Sequence, residues 1–435
     1  MDVINGDKLG DKAYVYKHKS GLTAYILPKP GYSRKHAAFA ANFGSIDVKF
    51  KTQVNEDIIE VPDGVAHFLE HKLFEQENGS IMEDFAKYGA SPNAYTGFSN
   101  TVYLFSCTAN FNECLKLLLN FVQKPYFTNE GIEKEKSIIS QEILMKQDEP
   151  EWIIYFNLLK SLFPNHPVSR DIAGSRESIS YIDRDLLYKC YNSFYHPSNM
   201  VLVIVGDCNP EEVFSIVTEE MDTITQAVKP VEFVRLNEKT GWVSENRNEE
   251  KEMAVSNPLF QLGIRDKMPD LAITDKDKLL RQVTLNILLD LIVGRSSRLY
   301  NDLYSEGLVN GPVDFDCNSE RTYAFTVLAG ESSYPKQFKE RVEKEILDIK
   351  KNGISEENFK RLRNSWYGKL VRTFNSVESI SYSFISVYFK GVTLFDYFDV
   401  YDKISLKYAN DLFREHFDPD SMALSVVRPF GSRSG

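Results

Sequence analysis

Apolar and polar residues alternate in two runs near the N-terminus, one from Tyr14 to Leu27 and one from His36 to Phe43. A period of two marks half-buried strands, and the break at Pro28-Lys29-Pro30-Gly31 is turn chemistry. These two runs are expected to be paired strands. The period then changes: Val65, Phe68, Leu69 and Leu73 recur near every 3.6 residues, which predicts a helix within residues 64–75. Gly79-Ser80 opens a second short helix from Ile81 to Tyr88. A strand is expected over 101–106, and a buried helix over 112–121 carries Leu115, Leu117, Leu118 and Leu119. A further helix is expected over 133–144, with Ile138, Ile139, Ile143 and Leu144 as its apolar positions. Residues 150–191 read as mainly helical, with breaks at 163–167 and 173–175. The run from Asn199 to Gly206 is a buried strand, and Pro210 starts another helix.

That last strand exposes a repeat. Ile182, Pro197, Met200 and Leu202 recur as Ile404, Pro419, Met422 and Leu424, at a constant offset (404 − 182 = 222; 422 − 200 = 222). A period of this length means a duplicated domain, since solenoid repeats are much shorter. The expected division is residues 1–227 for the first copy and 253–435 for the second, joined by a charge-rich linker over 228–252. In the second copy the counterpart of the 64–75 helix is Asn286 to Gly294. It holds no histidine and is apolar all round, so it reads as buried core.

Composition narrows the function classes. The formal charge of −11 disfavours nucleic acid and anionic membrane surfaces as partners. No apolar run is long enough to span a bilayer, and the polar N-terminus lacks a signal-peptide pattern, so a cytoplasmic location is expected. The five cysteines (Cys107, Cys114, Cys190, Cys208, Cys317) are scattered with no C-x-x-C pair, which fits thiols in a reducing compartment. His166 and Arg170 lie in a helix break and read as surface loop residues, because nothing pairs with them at ligand spacing.

The chemistry concentrates in His67-Phe-Leu-Glu70-His71. On a helix, residues i and i+4 share a face, so the two imidazoles can bind one metal ion with Glu70 on the turn between them. This H-x-x-E-H order is the inverzincin signature: two neutral nitrogen ligands, an open position for water, and a carboxylate to take that water's proton. Glu135 and Glu142, seven residues apart, share one face of a later helix.

With these residues the sequence resembles the pitrilysin/insulinase-type zinc peptidases, which include the mitochondrial processing peptidases. The resemblance implies that Glu142 is the third zinc ligand (142 − 71 = 71) and Glu135 its helper (142 − 135 = 7). It also implies that Asn93 and Ala94, in Ser91-Pro-Asn-Ala-Tyr-Thr96, line an extended substrate added at a sheet edge. The implied fold is α+β: two duplicated α/β domains of the LuxS/processing-peptidase-like type, each a mainly antiparallel sheet with helices packed on it. The implied activity is that of an endopeptidase acting on short or unfolded peptides, with one Zn2+ per chain. His67, His71 and Glu142 then hold the metal, and Glu70 and Glu135 are the catalytic candidates.

One departure stands out. Such peptidases carry an arginine and a tyrosine in a non-metal half, directed at the substrate carbonyl. Here Tyr304 stands where the arginine would be, and Val309 or Asn310 where the tyrosine would be; Arg298 precedes the run as a surface charge. Loss of an oxyanion donor costs about 10²–10³ in rate. A related subunit supplying the pair is therefore expected, giving a heterodimer, with a homodimer as the other arrangement. The competing readings are a zinc-bearing, non-catalytic peptide-binding or structural subunit, and a zinc hydrolase of small amides or esters.

Overall fold

The strand Met200–Gly206 is buried at every residue and lies near the middle of a seven-stranded sheet. The computed structural model describes residues 2–6, 8–52, 55–223, 232–233, 247–268 and 272–431. From edge to edge the sheet runs Asp2–Gly6, Asp11–Lys17, Thr23–Pro28, Met200–Gly206, Lys35–Ala41, Thr101–Cys107 and Ser91–Thr96. Met200–Gly206 pairs in parallel with Thr23–Pro28, and every other pairing in the sheet is antiparallel. The two N-terminal alternating runs are therefore not partners of each other, contrary to expectation. The first is a hairpin in its own right, Asp11–Lys17 against Thr23–Pro28. The second is separated from it by Met200–Gly206, since a strand apolar on both faces must be covered on both faces and is excluded from an edge.

A second sheet runs Asn248–Met253, Met422–Pro429, Leu259–Arg265, Ala324–Glu331 and Asp314–Ser319, again with one parallel pair followed by antiparallel pairs. It matches the last five strands of the first sheet in order and direction. The repeat continues into helices: Arg184–Phe194 corresponds to Leu406–His416 (406 − 184 = 222). The fold is α+β, a duplicated arrangement of mainly antiparallel sheets with helices packed on them. Residues 228–231 and 234–246 of the expected linker lie outside the described residues, and the charged stretch after them forms the edge strand Asn248–Met253.

Two compact units form, and they cut across the repeat. One comprises Met1–Ile143, Asp171–Arg235 and Val371–Phe395; the other comprises Leu144–Arg170, Leu236–Leu370 and Asp396–Gly435. The helix Val377–Tyr388, from the second copy, thus packs in the first unit, where Phe384 meets Tyr25 with ring centroids 4.6 Å apart. The helix Pro150–Leu162, from the first copy, packs in the second unit. There Gly263 is needed because a Cβ would lie 2.7 Å from a Leu162 methyl and 3.0 Å from Leu158. Among the described residues no helix is long and apolar enough to cross a membrane.

Candidate metal centre

The helix Val65–Leu73 carries the H-x-x-E-H residues, and Gly64 sets its start. Gly64 has φ 93°, in the left-handed region, and a Cβ there would collide with the Ala173 carbonyl oxygen. Only glycine meets both conditions without strain. Val65, Phe68, Leu69 and Leu73 enter the core of the first unit as the periodicity predicts. Lys72 is also fully buried, its ammonium bonded to Glu75. Fixed on that side, the helix presents His67 and His71 together, with ring centroids 4.5 Å apart.

The helix Asn129–Gln147 supplies the carboxylates. Ile132, Ile139 and Ile143 anchor it, whereas Ile138 and Leu144 are exposed at 46% and 38%. Its Glu135–Glu142 face points at the histidines. His67 Nε2 lies 3.7 Å from Glu142 Oε1, and His71 Nε2 lies 3.6 Å from Glu142 Oε2. One donor atom from each of His67, His71 and Glu142 falls within 4.8 Å of the others. These separations are too long for hydrogen bonds. They are close to the roughly 3.4 Å between two donors that share a tetrahedral zinc at about 2.0–2.1 Å. Three polar atoms converging without bonding one another is the arrangement a metal ion would complete, so the residues fit zinc.

Glu135 stands behind the ligands, its Oε1 2.9 Å from His71 Nδ1. Glu70 is 8% exposed, and its Oε2 accepts a 2.6 Å hydrogen bond from the Thr96 hydroxyl. Thr96 ends the strand Ser91–Thr96, which is an edge of the seven-stranded sheet. At the hairpin end Gly97 N donates to Asn100 O. The alternation of an antiparallel ladder then turns the backbone groups of Pro92, Ala94 and Thr96 outward. Pro92 is tolerated because it stands where no ladder N–H is required. The Ala94 N–H is engaged locally, 2.9 Å from Asn93 Oδ1.

Burial dominates the electrostatics. It lowers the pKa of His67 to about 3, with the neighbouring His71 acting in the same direction. Burial raises the pKa of Glu70, and the Thr96 hydrogen bond opposes it only in part. For His71 burial disfavours the charged form, but the Glu135 hydrogen bond and three nearby carboxylates outweigh it and raise its pKa.

Sequence reasoning placed Glu70, His67, His71, Glu135, Glu142, Asn93 and Ala94, and all seven lie in the first unit. It missed the contact between the Thr96 hydroxyl and Glu70, although Thr96 belongs to the quoted segment. His166 is not a surface residue: it is 2% exposed, accepts from Val168 N through Nδ1, and meets Thr322 Oγ1 at 3.1 Å through Nε2. In the second unit Tyr304 is 58% exposed and stacks on Tyr300, while Val309 is buried. Arg298 is an exposed charge, 3.7 Å from Asp302. No disulfide joins any of the five cysteines.

A duplicated α+β fold with an H-x-x-E-H helix facing a glutamate pair defines an inverzincin-type peptidase scaffold. The profile of "Insulinase (Peptidase family M16)" matches residues 59–176, and that of "Peptidase M16 inactive domain" matches residues 181–365. The chain is 38% identical over 426 residues to YmfH of Bacillus subtilis (strain 168), named as an uncharacterized zinc protease, covering 98% of this chain and 99% of that one. Among solved structures, an M16-like peptidase from Alicyclobacillus acidocaldarius superposes with a TM-score of 0.92 at 32% identity, covering 97% and 99% of the two chains. Pitrilysin superposes with a TM-score of 0.76 at 17% identity; the match covers 99% of this chain and 46% of pitrilysin. The chain belongs to the insulinase family, peptidase family M16.

Proposed function

We propose that this chain is a zinc-dependent endopeptidase subunit that hydrolyses short or unfolded peptides. The observation that carries the reading is the convergence of His67, His71 and Glu142 beside the buried carboxylate of Glu70. These three residues would hold one zinc ion per chain. Bound there, zinc would supply a Lewis acid that acidifies water and polarises the scissile carbonyl.

The remaining work falls to the chain's own groups. Glu70, held through Oε2 by Thr96, keeps Oε1 available to take a proton from water and return it to the leaving amine. The burial that raises its pKa suits both transfers. Glu135 accepts from His71 Nδ1 and so keeps His71 Nε2 as the metal-facing nitrogen. The outward backbone of Ala94 and Thr96 would pair with an extended peptide, and Asn93 would release the Ala94 N–H as the peptide docks. Such recognition reads backbone, so it favours unfolded peptides of many sequences.

The exposed Tyr304 at the position expected for arginine supports a second, related subunit as the source of oxyanion donors, with a homodimer as the less favoured assembly. It also keeps the non-catalytic, zinc-bearing peptide-binding subunit as the second reading. The absence of any disulfide fits a reducing compartment such as the cytoplasm.

The test is cleavage of an unstructured peptide by the purified, zinc-loaded chain, alone and with a subunit bearing the arginine–tyrosine pair, alongside Glu70→Gln. Expected are hydrolysis chiefly in the mixture, and unchanged zinc content with lost hydrolysis in Glu70→Gln. Zinc binding with no cleavage in either setting would transfer the case to the non-catalytic reading.

A further inference from the structure

In the second unit a cavity of about 470 Å³ opens between the end of the helix Asp275–Val293, the edge strand Asp314–Ser319 and the helix Glu356–Thr373. In the repeat these three elements are the counterparts of the metal helix, the strand Ser91–Thr96 and the Glu135/Glu142 helix. Asp290 and Gly294 stand four residues apart as His67 and His71 do, one residue from the repeat offset (290 − 67 = 223; 294 − 71 = 223). A hollow thus lies between these counterpart elements in the second copy, with a different set of charges.

Where the first copy directs two acids at a cation site, the second directs cations into the hollow. Arg361 and Lys369 project from the Glu356–Thr373 helix, and Arg295 joins them from the end of the facing helix. The Arg295 side chain makes no hydrogen bond or ion pair among the described residues. Arg361 uses Nη1 on Ser296 Oγ at 2.9 Å, and no bond of its remaining guanidinium donors is seen among the described residues. Asp290 is already engaged: Trp366 Nε1 donates to it at 2.8 Å, and Lys369 lies 3.5 Å away. With Asp314 also on the wall, the lining carries three cations and two acids, a net +1 (3 − 2). Trp366 and Phe315, with ring centroids 6.3 Å apart and planes tilted by 46°, give the cavity an aromatic wall, and Lys369 Nζ lies 3.9 Å from the Trp366 ring centroid.

We propose that this cavity binds a carboxylate borne by an apolar group, specifically the free C-terminus of a peptide ending in an aromatic or large aliphatic residue. A guanidinium fork matches a carboxylate in plane, and the aromatic side receives the terminal side chain. The net +1 suits a singly charged carboxylate better than a doubly charged phosphate. The volume falls within the roughly 300–1,000 Å³ of sites for small ligands. The inference stands apart from the zinc reading, because every residue in it belongs to the second unit.

The experiment is calorimetric titration of the full-length Glu70→Gln chain, which prevents turnover of the probes. The probes are acetyl-Ala-Phe with a free carboxylate, acetyl-Ala-Phe amide, and inorganic phosphate. Expected are saturable binding of the acid, at least tenfold weaker binding of the amide, and no displacement of the acid by equimolar phosphate. Arg361→Gln and Arg295→Gln, both changes at exposed positions, should each weaken the acid several-fold and leave the amide unchanged. Equal binding of acid and amide, indifference to both arginine changes, or preferential binding of phosphate would each overturn the proposal. The two arginine changes assign the acid preference to this cavity, because a carboxylate bound at the His67, His71 and Glu142 site would not respond to them; each variant is a separate test should the other disturb folding.

Discussion

Glu135 Oε1 lies 2.9 Å from His71 Nδ1, and the other nitrogen of the same ring faces Glu142 at 3.6 Å. The bond orients the ring, and under the proposed zinc reading Glu135 would act on the metal through His71. Replacing it with glutamine should lower zinc affinity by about 10–100-fold while His67 and Glu142 keep their places. A chelator competition titration reads this directly. Unchanged affinity would leave Glu135 as a partner of His71 with no part in metal binding.

The Thr96 hydroxyl donates to the buried Glu70 carboxylate at 2.6 Å. A hydrogen bond to a charged group contributes about 1.5–3 kcal/mol, or roughly one to two decades in rate if its whole effect falls on the reacting carboxylate. Thr96→Val should therefore lower kcat at least tenfold and leave zinc content unaltered, and Thr96→Ser should recover most of the loss. Metal analysis beside steady-state kinetics separates this from a general loss of structure.

Gly64 begins the H-x-x-E-H helix in a left-handed conformation against the Ala173 carbonyl. Gly64→Ala should destabilise the protein by about 1–3 kcal/mol from the backbone alone, with the steric conflict adding to it. Urea unfolding monitored by circular dichroism measures the difference. A change below about 0.5 kcal/mol would show that this junction relaxes freely.

Acid should weaken the fold through its buried histidines. Burial holds His166 at about 4, with Arg265 and Arg170 adding to the effect, and an unfolded histidine titrates near 6.5. Between these values the unfolded chain binds the extra proton, so stability is full above pH 6.5 and falls as pH drops toward 4. The same window applies to His36, also lowered to about 4 chiefly by burial. His166→Asn keeps an acceptor for Val168 N but does not titrate. It should flatten the pH dependence in this window by about 3 kcal/mol across its width. Denaturant titrations at pH 4.5 and 7 for the two proteins provide the check.

The local features of this protein were legible from residues. Period and spacing placed the H-x-x-E-H helix, the glutamate helix and the repeat of 222, because helical faces and duplicated strands depend only on positions along the chain. The long-range partnerships were not legible. Nothing in the alternation of residues 14–43 says that Met200–Gly206 will separate those strands, and nothing in the pattern of Pro150–Leu162 says which sheet it will cover. His166 looked like a loop residue because its partners, Val168 N–H and Thr322, give no sequence signal of burial.

By itself the sequence determined the chemical inventory: two histidines, three glutamates and an edge-strand segment, each on its own element. Only the tertiary structure decided that Glu142 closes against both imidazoles, that Thr96 holds Glu70, and that a hollow in the second copy gathers three cations and two acids. The reason is physical. Helical and strand periodicity is set by local backbone geometry, whereas the approach of distant side chains is set by how whole elements bury their apolar faces.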